Sequence, residues 1–330
     1  MSHRILVVGV GSIGERHLRC FQKTGRVDAG LCELNDSLRQ TVAERYSVKA
    51  AYKSLDEALA GGWEAAVICT PAHLHIAQAR QAVKAGLHLL IEKPLSTSLD
   101  GVADLIGEAR AAHRKTAVAY VQRFNPTVVA LRQVLQSGRF GEPVQLYFTS
   151  GQHFPTFRPA YRTIYYTKHA TGGGAIQDAL THGINAAEWL VGPVQRLVAD
   201  AAHQVLEGVD VEDTVHLIAR QGSGVLSTFS LNQHQAPNEL TITVVCRRGT
   251  VRAALHERKI STMSEPNAPW EEQVLPPMER DDIFVLQANG FLDYLDDKAP
   301  ARATLEDGLQ TLKVNLAALR SVQQGNWQTI

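Results

Sequence analysis

The sequence predicts an α/β protein of two domains: a doubly wound parallel sheet covered by helices, then a largely antiparallel sheet with helices of its own. Three observations predict it. Residues 4–120 alternate short apolar runs with amphipathic helical stretches, the pattern of βαβ units. The first apolar run, Ile5-Leu6-Val7-Val8, leads into Gly9, Gly11 and Gly14 at G-x-G-x-x-G spacing. From Glu142 onward, strand-like runs succeed one another without helices between them, as antiparallel strands do.

In the first half, strands are expected at 4–8, 28–32, 48–51, 65–69, 87–91 and 116–120, and helices at 12–24, 36–46, 54–60, 72–85 and 98–112. Strand, glycine loop and helix in that order set helix-terminal N–H groups against a pyrophosphate. Gly9 permits the tight turn, Gly11 a close backbone approach, and Gly14 close helix–strand packing; Ser12 and Ile13 complete the loop. The second strand ends at Glu33, where a carboxylate accepts hydrogen bonds from ribose hydroxyls and repels a 2′-phosphate. NAD is therefore the expected cofactor, with NADP the alternative if Arg39 reaches a 2′-phosphate. The plainer reading is an ordinary βαβ unit with a solvated Glu33.

Ligands of such sheets bind beyond the carboxyl ends of the strands, so the residues just past each strand carry the interest. Past the fourth strand lie Thr70 and Pro71, suited to a helix cap and first turn facing the cofactor. His75 is a further cofactor candidate, although His73 and His75 also suit a helix surface; two residues apart, they diverge and do not form a metal pair. Past the fifth strand lie Glu92, Lys93 and Pro94. An ammonium there suits a substrate hydroxyl that ionises as hydride leaves. The alternative is a surface lysine paired with Glu92.

A helix ends near Gln136, and strands are expected at 143–153, 194–205, 211–220, 223–233, 239–246 and 249–256. Residues 264–280 read as a loop, and helices at 281–297 and 304–324 finish the chain. Within the second half lies one long helical stretch, 172–190. Its Asp178 and His182 are four apart and share a face, with Asn185 continuing the polar stripe and Ile176, Leu180, Ile184 and Ala187 opposite. A carboxylate beside an imidazole suits proton transfer. An ordinary hydrogen-bonded pair and a metal site are the other readings, the latter short of third and fourth ligands. Residues 152–169 concentrate aromatics and bases, among them Arg158, Tyr161, Arg162 and Tyr165. They suit a sugar ring and an anionic group, or a subunit contact.

The 330 residues are long for one core, which places a boundary between residues 1–122 and 123–330. Lys plus Arg, 33, equals Asp plus Glu, 33, so no net field favours nucleic acid or an anionic membrane. The 4 cysteines form no CxxC pair, as expected in a reducing cytoplasm. A strand begins almost at the amino terminus, which leaves no room for a signal peptide, and no apolar run approaches the roughly 18 residues that span a bilayer. A soluble, cytoplasmic protein is expected.

Taken in chain order, GVGSIGERH (9–17), TPAHLH (70–75), EKP (92–94), QRFNP (122–126) and GGGAIQDALTHGINAAEWL (172–190) resemble the glucose–fructose oxidoreductase / inositol dehydrogenase / MocA family. The resemblance runs from the first strand to the last helix. It implies an amino-terminal Rossmann domain, an α/β domain with an open, largely antiparallel sheet, and NAD(P)-dependent chemistry on a sugar, cyclitol or sugar nucleotide. By motif, Lys93 matches the catalytic lysine, His182 the general acid/base and Asp178 its companion. Thr70, Pro71 and His75 match the nucleotide-side motif; Glu92 is a further cofactor candidate, and Arg123, Arg158, Tyr161, Arg162, Tyr165 and Asn185 are the candidates for the substrate side. The open sheet implies a homodimer or homotetramer. Residues 152–169 carry no substrate-defining signature of the family. A sugar-nucleotide oxidase or reductase, a dihydrodiol or imine reductase, and a nucleotide-binding sensor without turnover are the alternatives.

Overall fold

The computed structural model of the protein describes residues 2–330 and divides into two compact units. The first comprises Met1–Val121 with Met278–Leu309, and the second Gln122–Pro277 with Gln310–Ile330.

Six strands build the first unit: β1 (His3–Val8), β2 (Val27–Cys32), β3 (Ala50–Tyr52), β4 (Ala65–Ile68), β5 (His88–Ile91) and β6 (Thr116–Val118). All neighbours pair in parallel, in the order β3-β2-β1-β4-β5-β6. The chain reverses direction across the sheet between β1 and β4, the switch point where such sheets bind ligands. Helices α1 (Ser12–Lys23), α2 (Asp36–Arg45), α3 (Leu55–Leu59), α4 (His75–Lys84) and α5 (Val102–Ala111) connect them. Asn35 caps α2 by accepting from the Leu38 N–H at 2.9 Å. The stretch 72–85 starts with one 3₁₀ turn, Ala72–Leu74, so α4 begins at His75 and Thr70 does not cap it. The Thr70 hydroxyl instead donates to Gln78 at 2.6 Å.

Residues 278–309, expected in the second domain, belong to the first unit. This stretch supplies a helix over Asp282–Leu295 whose Ala288, Phe291 and Leu292 join Leu18 and Phe21 in one core. Arg19 seals the junction with a two-point ion pair to Asp281. An apolar helix face announces burial but not its partner, which is why the sequence boundary missed the return.

The second unit contains α6 (Pro126–Gln136), a short α7 (Phe154–Phe157) and α8 (Thr181–Val191); the Asp282–Leu295 helix is then α9, and α10 is Leu305–Gln324. Its sheet has nine strands: β7 (Pro143–Gly151), β8 (Val194–Ala202), β9 (Thr214–Gln221), β10 (Leu226–Asn232), β11 (Glu239–Cys246), β12 (Gly249–Ala254), β13 (Lys259–Met263), β14 (Glu271–Val274) and β15 (Gln328–Thr329). The order is β14-β13-β12-β11-β7-β10-β9-β8-β15, antiparallel except for the β7–β10 pair. Strand β14 corrects the loop expected at 264–280, and β13 and β15 lie where no strand was expected. Glu271–Val274 is exposed at every position, so it lacks the alternation that marks a half-buried strand.

One face of this sheet is covered. Val128 and Leu131 of α6, Ile184 and Ala187 of α8, and Val314 and Ala317 of α10 pack on Phe148, Leu217, Phe229 and Val244. The entry to α8 is not plain α-helix: Ile176–Leu180 forms a π turn, a local widening frequent at functional sites. All four cysteines are free and buried. No helix among the described residues is long and apolar enough to cross a membrane.

Candidate functional site

In the first unit the site begins at the end of β1. Gly9 has φ +80°, and a side chain there would lie 2.9 Å from the Thr70 methyl beyond β4. A side chain at Gly14 would lie 1.8 Å from the Gly9 carbonyl oxygen, so only glycine lets α1 approach the loop this closely. Gly11, at the start of α1, faces open space within 4 Å of its would-be side chain, and Ser12 beside it is exposed. The first N–H groups of a helix lack intrahelical partners, so this cradle fits a pyrophosphate. Glu33 stands at the next strand end: one carboxylate oxygen accepts from the Val10 N–H at 3.0 Å, the other from the Asn35 N–H at 3.0 Å. Its charge is thereby fixed beside the glycine loop.

Two cofactor candidates are buried anchors. His75 is 1% exposed and sits between the carbonyls of Thr70, at 2.7 Å, and Pro94, at 3.1 Å. Burial holds its imidazole below the ordinary histidine value, so a neutral ring donates to one carbonyl. It ties the Thr70 loop to the Pro94 loop and is neither a helix-surface residue nor a group presented to a ligand, whereas His73 is exposed. Glu92, 4% exposed, is not the surface partner of the Lys93 side chain: it accepts from His17 at 2.7 Å and from the Lys93 backbone N–H at 2.8 Å. Burial pushes its carboxyl up, but the His17 hydrogen bond and the neighbouring positive charges hold it below the usual carboxylate value. The effect is to pin the strand end that carries the half-buried Lys93, whose bond to Pro94 is cis.

In the second unit a cavity of about 250 Å³ opens between α8, the π turn and the ends of β7, β10 and β11. Asp178, His182 and Arg158 all line it. Gly183 brings His182 there, since a side chain at 183 would lie 2.5 Å from the Phe148 ring on β7. Asp178 is buried and accepts from the Tyr165 hydroxyl at 2.7 Å. Phe148, Leu231 and Ile242 give the cavity an apolar floor, while Gln122, Gln152, Gln233 and Asn238 line it with amides. Gln233 is 1% exposed, its oxygen accepts from the Tyr166 hydroxyl, and its buried Nε2 has no hydrogen-bond partner among the described residues. The buried Oε1 of Gln122 likewise has none among them. An amide lining both donates and accepts, which suits a ligand rich in hydroxyls.

These amides are what sequence reasoning missed. Gln152, Gln233 and Asn238 sit at strand ends and Gln122 in a 3₁₀ turn, with no helical spacing to relate them, and only the sheet order brings Gln152 after β7 beside Gln233 after β10.

Four expected substrate residues lie elsewhere. Arg123, 3% exposed, donates to Asn185 at 2.7 Å, and Asn185, 1% exposed, donates to Thr311 at 2.9 Å. Thr311 in turn donates to Glu188 at 2.6 Å. Asn185 therefore joins a buried polar chain and does not extend the Asp178–His182 face: the side of α8 that lines the cavity carries His182, Gly183 and Ala186, and Asn185, three residues past His182, falls beside it. Tyr161 is a core residue, packed with Phe154, Tyr166 and Val211 and donating to the Glu207 carbonyl at 2.9 Å. Arg162 turns to Glu207 at 3.1 Å and to the Tyr161 hydroxyl. Among the described residues no group of His, Cys, Asp and Glu is arranged to hold a metal ion.

The sequence matches two family models: residues 3–120 match one described as an oxidoreductase family with an NAD-binding Rossmann fold, and residues 128–252 match the GFO/IDH/MocA C-terminal domain. The chain is 30% identical to an inositol 2-dehydrogenase/D-chiro-inositol 3-dehydrogenase of Shouchella clausii, over 58% of this chain and only 54% of that protein. It is 26% identical to an inositol 2-dehydrogenase of Rhizobium meliloti over 98% of both chains. In structure it resembles a levoglucosan dehydrogenase solved with NADH, at a TM-score of 0.91 and 18% identity, covering 100% of this chain and 99% of the other. That likeness is one of fold. With both of its domain models matched along the chain, the protein belongs to the GFO/IDH/MocA family of NAD-binding oxidoreductases.

Proposed function

We propose that the protein is an NAD-dependent dehydrogenase that oxidises, or in reverse forms, one secondary alcohol of a sugar, cyclitol or related hydroxylated ring. The observation that carries the reading is the second-unit cavity, where Asp178 and His182 share a wall with the amide side chains of Gln122, Gln152, Gln233 and Asn238. The named activities of the relatives, on inositols and on levoglucosan, support a hydroxylated substrate.

In this reading Gly9, Gly11, Ser12, Ile13 and Gly14 hold the pyrophosphate and Glu33 the ribose hydroxyls, with Thr70 and Pro71 on the same side. Bound nicotinamide supplies the hydride acceptor. His182 takes the proton of the reacting hydroxyl, which develops alkoxide character as its C–H bond is lost and the ketone forms. Lys93 donates a hydrogen bond to that oxygen. Asp178, held by Tyr165, orients the imidazole or the substrate.

Neither His182 nor Lys93 is needed to hold the nucleotide, so His182→Ala and Lys93→Met should bind NAD nearly as the parent does. Turnover, followed at the nicotinamide absorbance with a sugar and cyclitol panel, should fall by roughly a hundredfold or more. The loss should appear in kcat and kcat/KM together, as for an interaction made in the transition state. Asp178→Asn should lose less. Full activity in both variants would remove the two residues from the mechanism, and lost NAD binding would make them structural.

A further inference from the structure

We infer that the cavity is built for a hydroxylated monocarboxylate, a sugar acid, and that Arg158 is the residue that selects it. This rests on the second-unit cavity being the substrate site and adds a charge to the substrate's description.

Arg158 is the cavity's guanidinium, and it is exposed and ready to pair. Among the described residues it makes no ion pair; its side chain lies over the Phe154 ring, 5.7 Å from the centroid. Phe154 is buried in the aromatic core with Tyr161 and Tyr166, and the Arg158 backbone N–H donates to the Phe154 carbonyl at 2.7 Å, so the arginine stands on a rigid base. The other bases of this segment are placed differently: Arg162 is committed to Glu207 and Lys168 lies outside the cavity. Two acids share the wall. Asp178 is engaged by Tyr165, and Glu239, exposed at the start of β11, makes no ion pair with Arg158.

A single planar guanidinium matches one carboxylate, which it grips at two points. The amide side chains that line the same cavity suit the hydroxyls of such a ligand, since an amide both donates and accepts. A sugar nucleotide fits less well. Its diphosphate would want more than one cation, and about 250 Å³ lies at the small end of ligand pockets.

The test uses the full-length protein with NAD. Gluconate and glucuronate are compared with glucose and myo-inositol, in wild type, Arg158→Met and Arg158→Lys. The expected result is a kcat/KM for an acid on the order of thirtyfold or more above its neutral counterpart, lost in Arg158→Met mainly through KM and partly kept in Arg158→Lys. Rates with neutral polyols should fall by a clearly smaller factor than those with the acids in both variants. Thermal shift by the same compounds with NADH present judges binding apart from turnover. An acid shift that vanishes in Arg158→Met supports the inference even where nothing turns over, and in that case it is the dehydrogenase reading that fails. Neutral polyols equal to or better than the acids, no binding of either acid, or equal losses for both classes in Arg158→Met would overturn it.

Discussion

Glu33 spends both carboxylate oxygens on backbone N–H groups, those of Val10 and Asn35, and so holds a negative charge at the edge of the glycine loop. Arg39, the base placed to neutralise a 2′-phosphate there, donates to the Glu33 carbonyl at 2.9 Å and to Asp36 at 2.6 Å. NAD(H) should therefore bind more tightly than NADP(H), by on the order of tenfold or more, and Glu33→Gln should narrow the gap by removing the repulsion. Titration of both nucleotides into the apoprotein decides it; equal or reversed affinities defeat the assignment. At this scale the sequence was most legible where backbone geometry dictates the residue. Gly9 and Gly14 could be read directly, because a side chain at either would strike Thr70 or the Gly9 carbonyl. Burial was not legible for His75, Glu92, Arg123 and Asn185. Each is polar by composition and buried only because a partner distant in sequence satisfies it.

At the scale of elements, the π turn before α8 depends on a residue that the sequence did not single out. Glu212 is buried; one oxygen accepts from the Ile176 N–H at 2.9 Å and the other from His169 at 2.5 Å. Its carboxylate fills the space beside Gly174, where φ is +85° and a side chain would meet it at 2.6 Å, which explains the glycine at 174, while at Gly173 a side chain would lie 2.1 Å from the Tyr166 carbonyl oxygen. Glu212 is thus a positioning residue for Asp178 and His182. Glu212→Ala leaves a buried N–H unsatisfied, a loss of roughly 1–3 kcal/mol, and should lower kcat about tenfold or more while NAD binding persists. Glu212→Gln, which still accepts from Ile176, should restore most of the rate. Equal kcat in all three proteins would show that the turn holds itself. The pair also has a pH signature. The Glu212 hydrogen bond raises the His169 value above 6.5, so the pair's stabilisation is complete below about pH 6.5 and is lost as pH rises through the raised value. A Tm series from about pH 6 to 9 should show this component in wild type and lose it in Glu212→Gln. Helix periodicity placed a helix at 172–190 and the structure has one over 175–191, with 172–174 in the turn before it, but nothing in the spacing of Asp178 and His182 distinguishes a π turn from an α-helix.

For the whole molecule, the second unit leaves one sheet face without helices. Along one row across it the side chains of Val198, Ile218, Thr228, Tyr147 and Thr243 stand side by side, given by the registers of β8, β9, β10, β7 and β11. Ile218 is 47% exposed, Leu226 40% and Tyr147 38%, on central strands of the sheet and not at its edges. An apolar band on the broad face of an antiparallel sheet is a surface that monomeric proteins avoid, since burying it removes apolar area from water at roughly 25 cal/mol per Å². A second copy of the chain is the partner proposed for it. Light scattering at micromolar concentration should therefore give a dimer or tetramer. Tyr147→Glu together with Ile218→Glu should shift the mass toward the monomer while circular dichroism stays unchanged, because both side chains point away from the core shared with α6, α8 and α10. The threonines on this face explain why strand alternation alone could not separate a wet face from a contact: Thr228 and Thr243 suit either. A wild-type monomer would refute the proposal, and an oligomer indifferent to both substitutions would move the contact to another surface.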